Sequence, residues 1–147
     1  MRALQTSLLS RGGRSRLVAG SAVIAFAALA LAGCGGVGGT KPYTQAATRA
    51  CLKETGVKLV PVDTAVDFVG SSALGGALAA KLALNSVTIS FGRNAAEGSL
   101  IQQAYAKYGS NDVPIDQVLE LRRNAVLLWA GAPSKQDAAV VRSCLKS

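Results

Sequence analysis

The chain has 147 residues, half of them hydrophobic, with 5% aromatics, no histidine and a formal net charge of +8. That length leaves room for one domain beyond any targeting segment, and a chain without histidine lacks the commonest general base and metal ligand, so no Ser-His-Asp or Cys-His arrangement can form. The charge does not point to nucleic acid: four cations lie in the first 16 residues, and from Cys34 onward twelve Lys or Arg are scattered among eight acids, with only Arg122 and Arg123 adjacent.

Arg2, Arg11, Arg14 and Arg16 make a basic start without acids, and Leu17 to Leu31 then carries no charge. A basic segment, an apolar run and small residues are the parts of a secretory signal. The run is short of the roughly 20 apolar residues that a membrane-crossing helix needs, and Gly35, Gly36, Gly38 and Gly39 follow it. The arginines are not consecutive, which favours the general secretory route over the twin-arginine route. On these residues alone, an ordinary secretory signal and an uncleaved anchor also fit.

Leu31-Ala32-Gly33-Cys34 closes the apolar run and resembles the lipobox of bacterial lipoproteins. The resemblance implies cleavage before Cys34, removal of residues 1–33 and a lipid on the Cys34 sulfur. Several acyl chains give lasting attachment where one gives only marginal binding. Gly35 is not the Asp associated with retention in the inner membrane of Gram-negative bacteria, so the cell membrane and the outer membrane both remain open. Residues 34–42 read as a Gly-rich tether with a reach of ~15–18 Å.

In the folded part, residues 43–147, Thr44–Glu54 has the apolar spacing of a helix, with Gly56 as its stop. Val57–Val62 predicts a short strand, held at an edge or an end by Pro61. Residues 63–84 read as a Gly- and Ala-rich insertion, flexible or weakly helical, with a helix from about Ala73 to Leu84. Asn85–Phe91 alternates cleanly: Val87, Ile89 and Phe91 face one way, Ser86, Thr88 and Ser90 the other. Asn94 and Glu97 have the spacing of a capping box. They open a helix whose buried stripe is Ile101, Ala104, Tyr105 and Tyr108, ended by Gly109. Residues 115–121 suit either a helix after Pro114 or the first strand of a hairpin turning at Arg122-Arg123-Asn124, and the hairpin is preferred. Ala125–Ala130 reads as a strand buried on both faces, with Trp129 in the core or at the rim. Ser134 starts a last helix with Ala138, Val141, Cys144 and Leu145 inward.

The order α-β-β-α-β-β-α predicts an α+β fold, a small two-layer sandwich with a mainly antiparallel sheet. With Cys34 lipidated, Cys51 and Cys144 are left as a disulfide pair in an oxidising compartment, tying the first helix to the last. Asp112, Asp116 and Glu120 fall four apart but read as capping and surface acids, as do Asp63 and Asp67. Ser143 and Lys146 match S-x-x-K by spacing alone, without its partner motifs. No catalytic, metal or cofactor residues are assigned. The expectation is a lipid-anchored envelope protein on the cell membrane or outer membrane, extracytoplasmic. Its role would be non-catalytic recognition or assembly with an envelope protein partner, without nucleic acid. The alternative is a small solute- or ion-binding module associated with a transporter.

Overall fold

A computed structural model describes residues 40–108 and 113–147. The signal segment, Cys34 and most of the tether, as well as Gly109 and Asp112, lie outside the described residues. Helix α1, Gln45–Glu54, starts where the Thr44 hydroxyl accepts the Ala47 N–H and ends at Gly56, whose φ of +76° lets Val57 N–H return to the Leu52 carbonyl. Strand β1, Lys58–Val60, stops before Pro61 and occupies a sheet edge. Then come a short helix α2, Phe68–Ser71, and strands β2, Ala77–Lys81, and β3, Ser86–Phe91. Helix α3, Ala95–Tyr108, is followed by a single turn α4, Ile115–Val118, strands β4, Leu119–Arg122, and β5, Ala125–Trp129, and helix α5, Lys135–Ser143.

The five strands form one antiparallel sheet in the order β1-β2-β3-β5-β4. Mixed helix and strand with a Cys51–Cys144 disulfide make this a small α+β fold. The insertion expected over residues 63–84, and the helix expected within it, are corrected. Ala77–Lys81 is a strand paired on both sides, to β1 and to β3. Leu78 and Ala80 enter the core while Ala77 and Ala79 face the other way, yet a run of small apolar residues shows no alternation in hydropathy. Alanine also favours helix over strand when neighbours do not decide. The hairpin strand preferred for residues 115–121 is confined to Leu119–Arg122, and Ile115–Val118 instead forms the helical turn after Pro114.

Leu52 of α1 and Val141 and Cys144 at α5 pack with Leu78, Ala80, Val87, Ile89, Ala125, Leu127 and Trp129 in one buried cluster. Trp129 is therefore core, its indole Nε1 without a hydrogen-bond partner among the described residues. Side chains alternate along a strand, so Ser90 and Val126 face the opposite side, where Tyr105 of α3 meets Ser90. Helices thus lie against both faces of the sheet, one more layer than the two expected, and the face bearing Ser86, Thr88 and Ser90 is partly covered. Gly98 permits this: a Cβ there would lie 2.8 Å from the Asn124 Cα and 2.9 Å from the Arg123 carbonyl oxygen.

Candidate functional site

The covering by α3 is incomplete. Toward the start of β3, the sheet floor is built from Ser86, Thr88 and Leu128, whose short or half-buried side chains do not fill the space under the helices. A cleft of about 310 Å³ remains, walled by Val66, Asp67, Phe68 and Val69 on the α2 side and by Tyr105 and Tyr108 of α3. A second groove, about 290 Å³, runs between α2 and α3. Phe68, Val69, Ala73, Leu74, Leu100, Ile101, Ala104 and Tyr108 give it an almost wholly apolar lining. Phe68, Leu74, Leu100 and Tyr108 are 76%, 69%, 62% and 68% exposed, and Val66 is exposed beside them.

Asp67 fixes this wall. Its carboxylate accepts the Gly70 N–H at 2.7 Å, capping α2, and the Tyr105 hydroxyl at 2.9 Å to each oxygen. Since the phenol proton is spent on Asp67, the buried Ser90 hydroxyl donates to the Tyr105 oxygen, at 2.9 Å. Burial first, and the Asp67 charge with it, push the Tyr105 phenol above its usual range. The chain Ser90–Tyr105–Asp67 ties β3, α3 and α2 together.

The opposite end of the sheet is closed by polar contacts. Buried Asn124 accepts the Tyr43 N–H at 2.7 Å and donates to the carbonyls of Tyr43 and Gly92 at 2.9 and 2.6 Å. Arg123, at φ +52°, donates to the Lys41 carbonyl and stacks its guanidinium 4.4 Å from the Tyr43 ring centre.

Of the acids singled out by spacing, Asp112 lies outside the described residues and the others do not converge. Asp116 sits in the first turn of α4 and Glu120 on β4, where it is paired with Arg122 and with Arg142 at 2.7 Å. Burial pushes the Glu120 carboxyl up, but hydrogen bonds from Arg142 and Arg122 outweigh it and hold the group below its ordinary value. Asp63 caps its own turn at Ala65. Among the described residues no three His, Cys, Asp or Glu side chains gather as a metal site, and no helix is long and apolar enough to cross a membrane. Tyr108, expected in the core, is instead 68% exposed and lines both the cleft and the groove beside Phe68 and Val69 of α2. The cleft itself was missed. Its signal was Phe68 and Leu74 in a stretch that read as an insertion.

No family model matches the chain, and neither curated proteins nor solved structures give a match.

Proposed function

We propose that this is a lipid-anchored, extracytoplasmic envelope protein with a non-catalytic recognition role, held through Cys34 and engaging an envelope protein partner through the α2–α3 surface. The observation that carries the reading is the adjacency of Phe68, Leu74, Leu100 and Tyr108, all exposed and joined along one groove, with Val66 exposed on the wall of the adjoining cleft. Large apolar side chains scattered singly on a surface need no explanation, whereas contiguous ones mark interaction sites. Aromatic side chains such as Phe68 and Tyr108 are favoured anchors at such sites.

The test is cross-linking of the native protein in its own membrane, followed by mass spectrometry. A dominant protein product lost in a Phe68→Ser, Leu100→Ser double variant supports the reading; a product retained in that variant refutes the surface. The adjoining cleft favours a second reading, a small solute with an apolar body and a cationic group beside Asp67. That reading expects a ligand-induced rise in Tm and no dominant cross-linked protein.

A further inference from the structure

The chain enters the domain at one end of the sheet. The Lys41 carbonyl accepts from Arg123 Nη1 at 2.9 Å and from the Ser147 hydroxyl at 3.0 Å, and Thr44 N–H donates to the Lys146 carbonyl at 2.8 Å. Lys41, Arg123 and Lys146 are therefore brought together there by backbone and side-chain bonds, and all three are exposed. None is in an ion pair among the described residues. Glu97 and Glu120, toward the same end, are already paired with Arg93 and with Arg122 and Arg142. Arg123 holds its place in the left-handed region, where Gly or Asn would cost less.

Cys34 precedes Lys41 by seven residues. Even fully extended, that length spans only ~25 Å. A lipid on Cys34 keeps this end of the domain within that distance of the bilayer, at most about three Debye lengths from it at physiological salt. The α2–α3 cleft opens at the other end: its floor residue Ser86 starts β3, whereas Gly92, bonded to Asn124, follows the strand's end. Six strand residues set the two ends ~17 Å apart.

We infer that the sheet end bearing Lys41, Arg123 and Lys146 rests on an anionic lipid surface and points the cleft away from it. The inference rests on the reading of Cys34 as the lipid anchor. Each cation near such a surface contributes roughly a fivefold preference, so three give a bias on the order of a hundredfold between docked and free orientations. Neutral lipid removes the bias, as does high salt.

The experiment labels lysines of the full, native, membrane-extracted protein in vesicles of phosphatidylglycerol or of phosphatidylcholine, using a membrane-impermeant amine reagent read by mass spectrometry. Intact mass first establishes the acyl groups. Lys41 and Lys146 are expected to react severalfold more slowly on phosphatidylglycerol, with reactivity restored in 0.5 M salt (~4 Å Debye length). Lys58 and Lys81, which pair across β1 and β2 at the cleft end, and Lys107 serve as references and stay unchanged. An Arg123→Gln, Lys146→Gln variant, folded by circular dichroism, loses the protection of Lys41. An acylated protein whose Lys41 and Lys146 react equally on both lipids overturns the orientation alone. A protein without acyl mass overturns the anchor, and the orientation with it.

Discussion

Asn124 is the residue on which the placement of the N-terminal segment turns, and its replacement gives the sharpest test of the fold. Asn124→Ala removes one acceptor and two donors from a side chain that is 1% exposed. The Gly92 carbonyl, itself buried, loses its side-chain partner, which costs ~1–3 kcal/mol, and the two half-buried Tyr43 groups lose net hydrogen bonds of ~1 kcal/mol each. The expected loss is ~3–5 kcal/mol in urea unfolding, with a fall in Tm on the order of 15 °C. Asn124→Asp separates this account from simple loss of packing. It keeps the acceptor for Tyr43 N–H but sets a carboxylate oxygen against two carbonyls at 2.9 and 2.6 Å. Protonation restores a donor, so the Asp variant's folded pKa is raised. Its deficit relative to the natural protein should shrink as pH falls from 7 toward 4. An Ala variant within 1 kcal/mol of the natural protein, or an Asp variant equally stable at pH 7, refutes the reasoning.

Cys51→Ala, Cys144→Ala opens a loop spanning 93 residues of sequence, and the chain-entropy account gives ~4–5 kcal/mol lost, measurable as a shift of the urea midpoint that reductant reproduces in the natural protein. Gly98→Ala should destabilise by ~1–3 kcal/mol although alanine favours helix, because its Cβ meets the Asn124 and Arg123 backbone rather than a side chain that can swing away; an equal or higher Tm would contradict the close approach of α3. Tyr105 carries a raised folded pKa, so the stability it contributes is present below the free phenol value near 10 and declines as pH rises above it. Tyr105→Phe should flatten the alkaline limb of the stability curve while lowering stability at pH 7 by ~1–3 kcal/mol through the orphaned Ser90 hydroxyl. Glu97 is lowered by hydrogen bonds from Arg93, and Glu120 is lowered as well, so what they contribute is present above pH ~4.5 and lost as pH falls through their folded values. A Glu97→Gln, Glu120→Gln variant should show a shallower acid limb, with solvent screening keeping the Glu97 share small.

The elements that were legible in the sequence share one property: a pattern in which polarity changes with position. In Ser86–Phe91 large apolar and hydroxyl side chains alternate, and it is a strand over that span. Thr44 and Ser134 mark helix starts by chemistry alone, and both side chains accept the N–H three residues on. The inward face read for the last helix, Ala138, Val141, Cys144 and Leu145, is buried throughout. Where every residue is small and apolar, as in Ala77–Lys81, polarity carries no phase, and only pairing with β1 and β3 determines the strand. The cleft was illegible for the same reason. Asp67 read as a surface acid, because nothing local to residues 63–72 announces that it will accept a hydroxyl 38 residues away. Tyr108 lies one helical turn beyond Tyr105, yet only Tyr105 is buried, where Ser90 and Asp67 meet its hydroxyl, and helical spacing alone does not separate the two.

The two ends of the sheet are built in different ways, and the difference bears on function. At the entry end, Asn124, Arg123 and Thr44 bind the first described residues to the β4–β5 turn and to the last residues of the chain. A pull on the N-terminal segment therefore meets several hydrogen bonds in parallel, and the disulfide closes the loop just behind them. At the cleft end, α2 is only four residues long and held chiefly by one carboxylate. Local opening is drawn from such weakly held segments. The anchored recognition role proposed above calls for both properties: a fixed attachment, and a surface able to adjust to what it meets. Amide exchange should rank the two accordingly, slow at Tyr43 and Thr44 and fast across Phe68–Ser72, with Asp67→Asn hastening the second and leaving the first unchanged. Faster exchange at Tyr43 than at Gly70 would reverse the assignment of the rigid and the adaptable end.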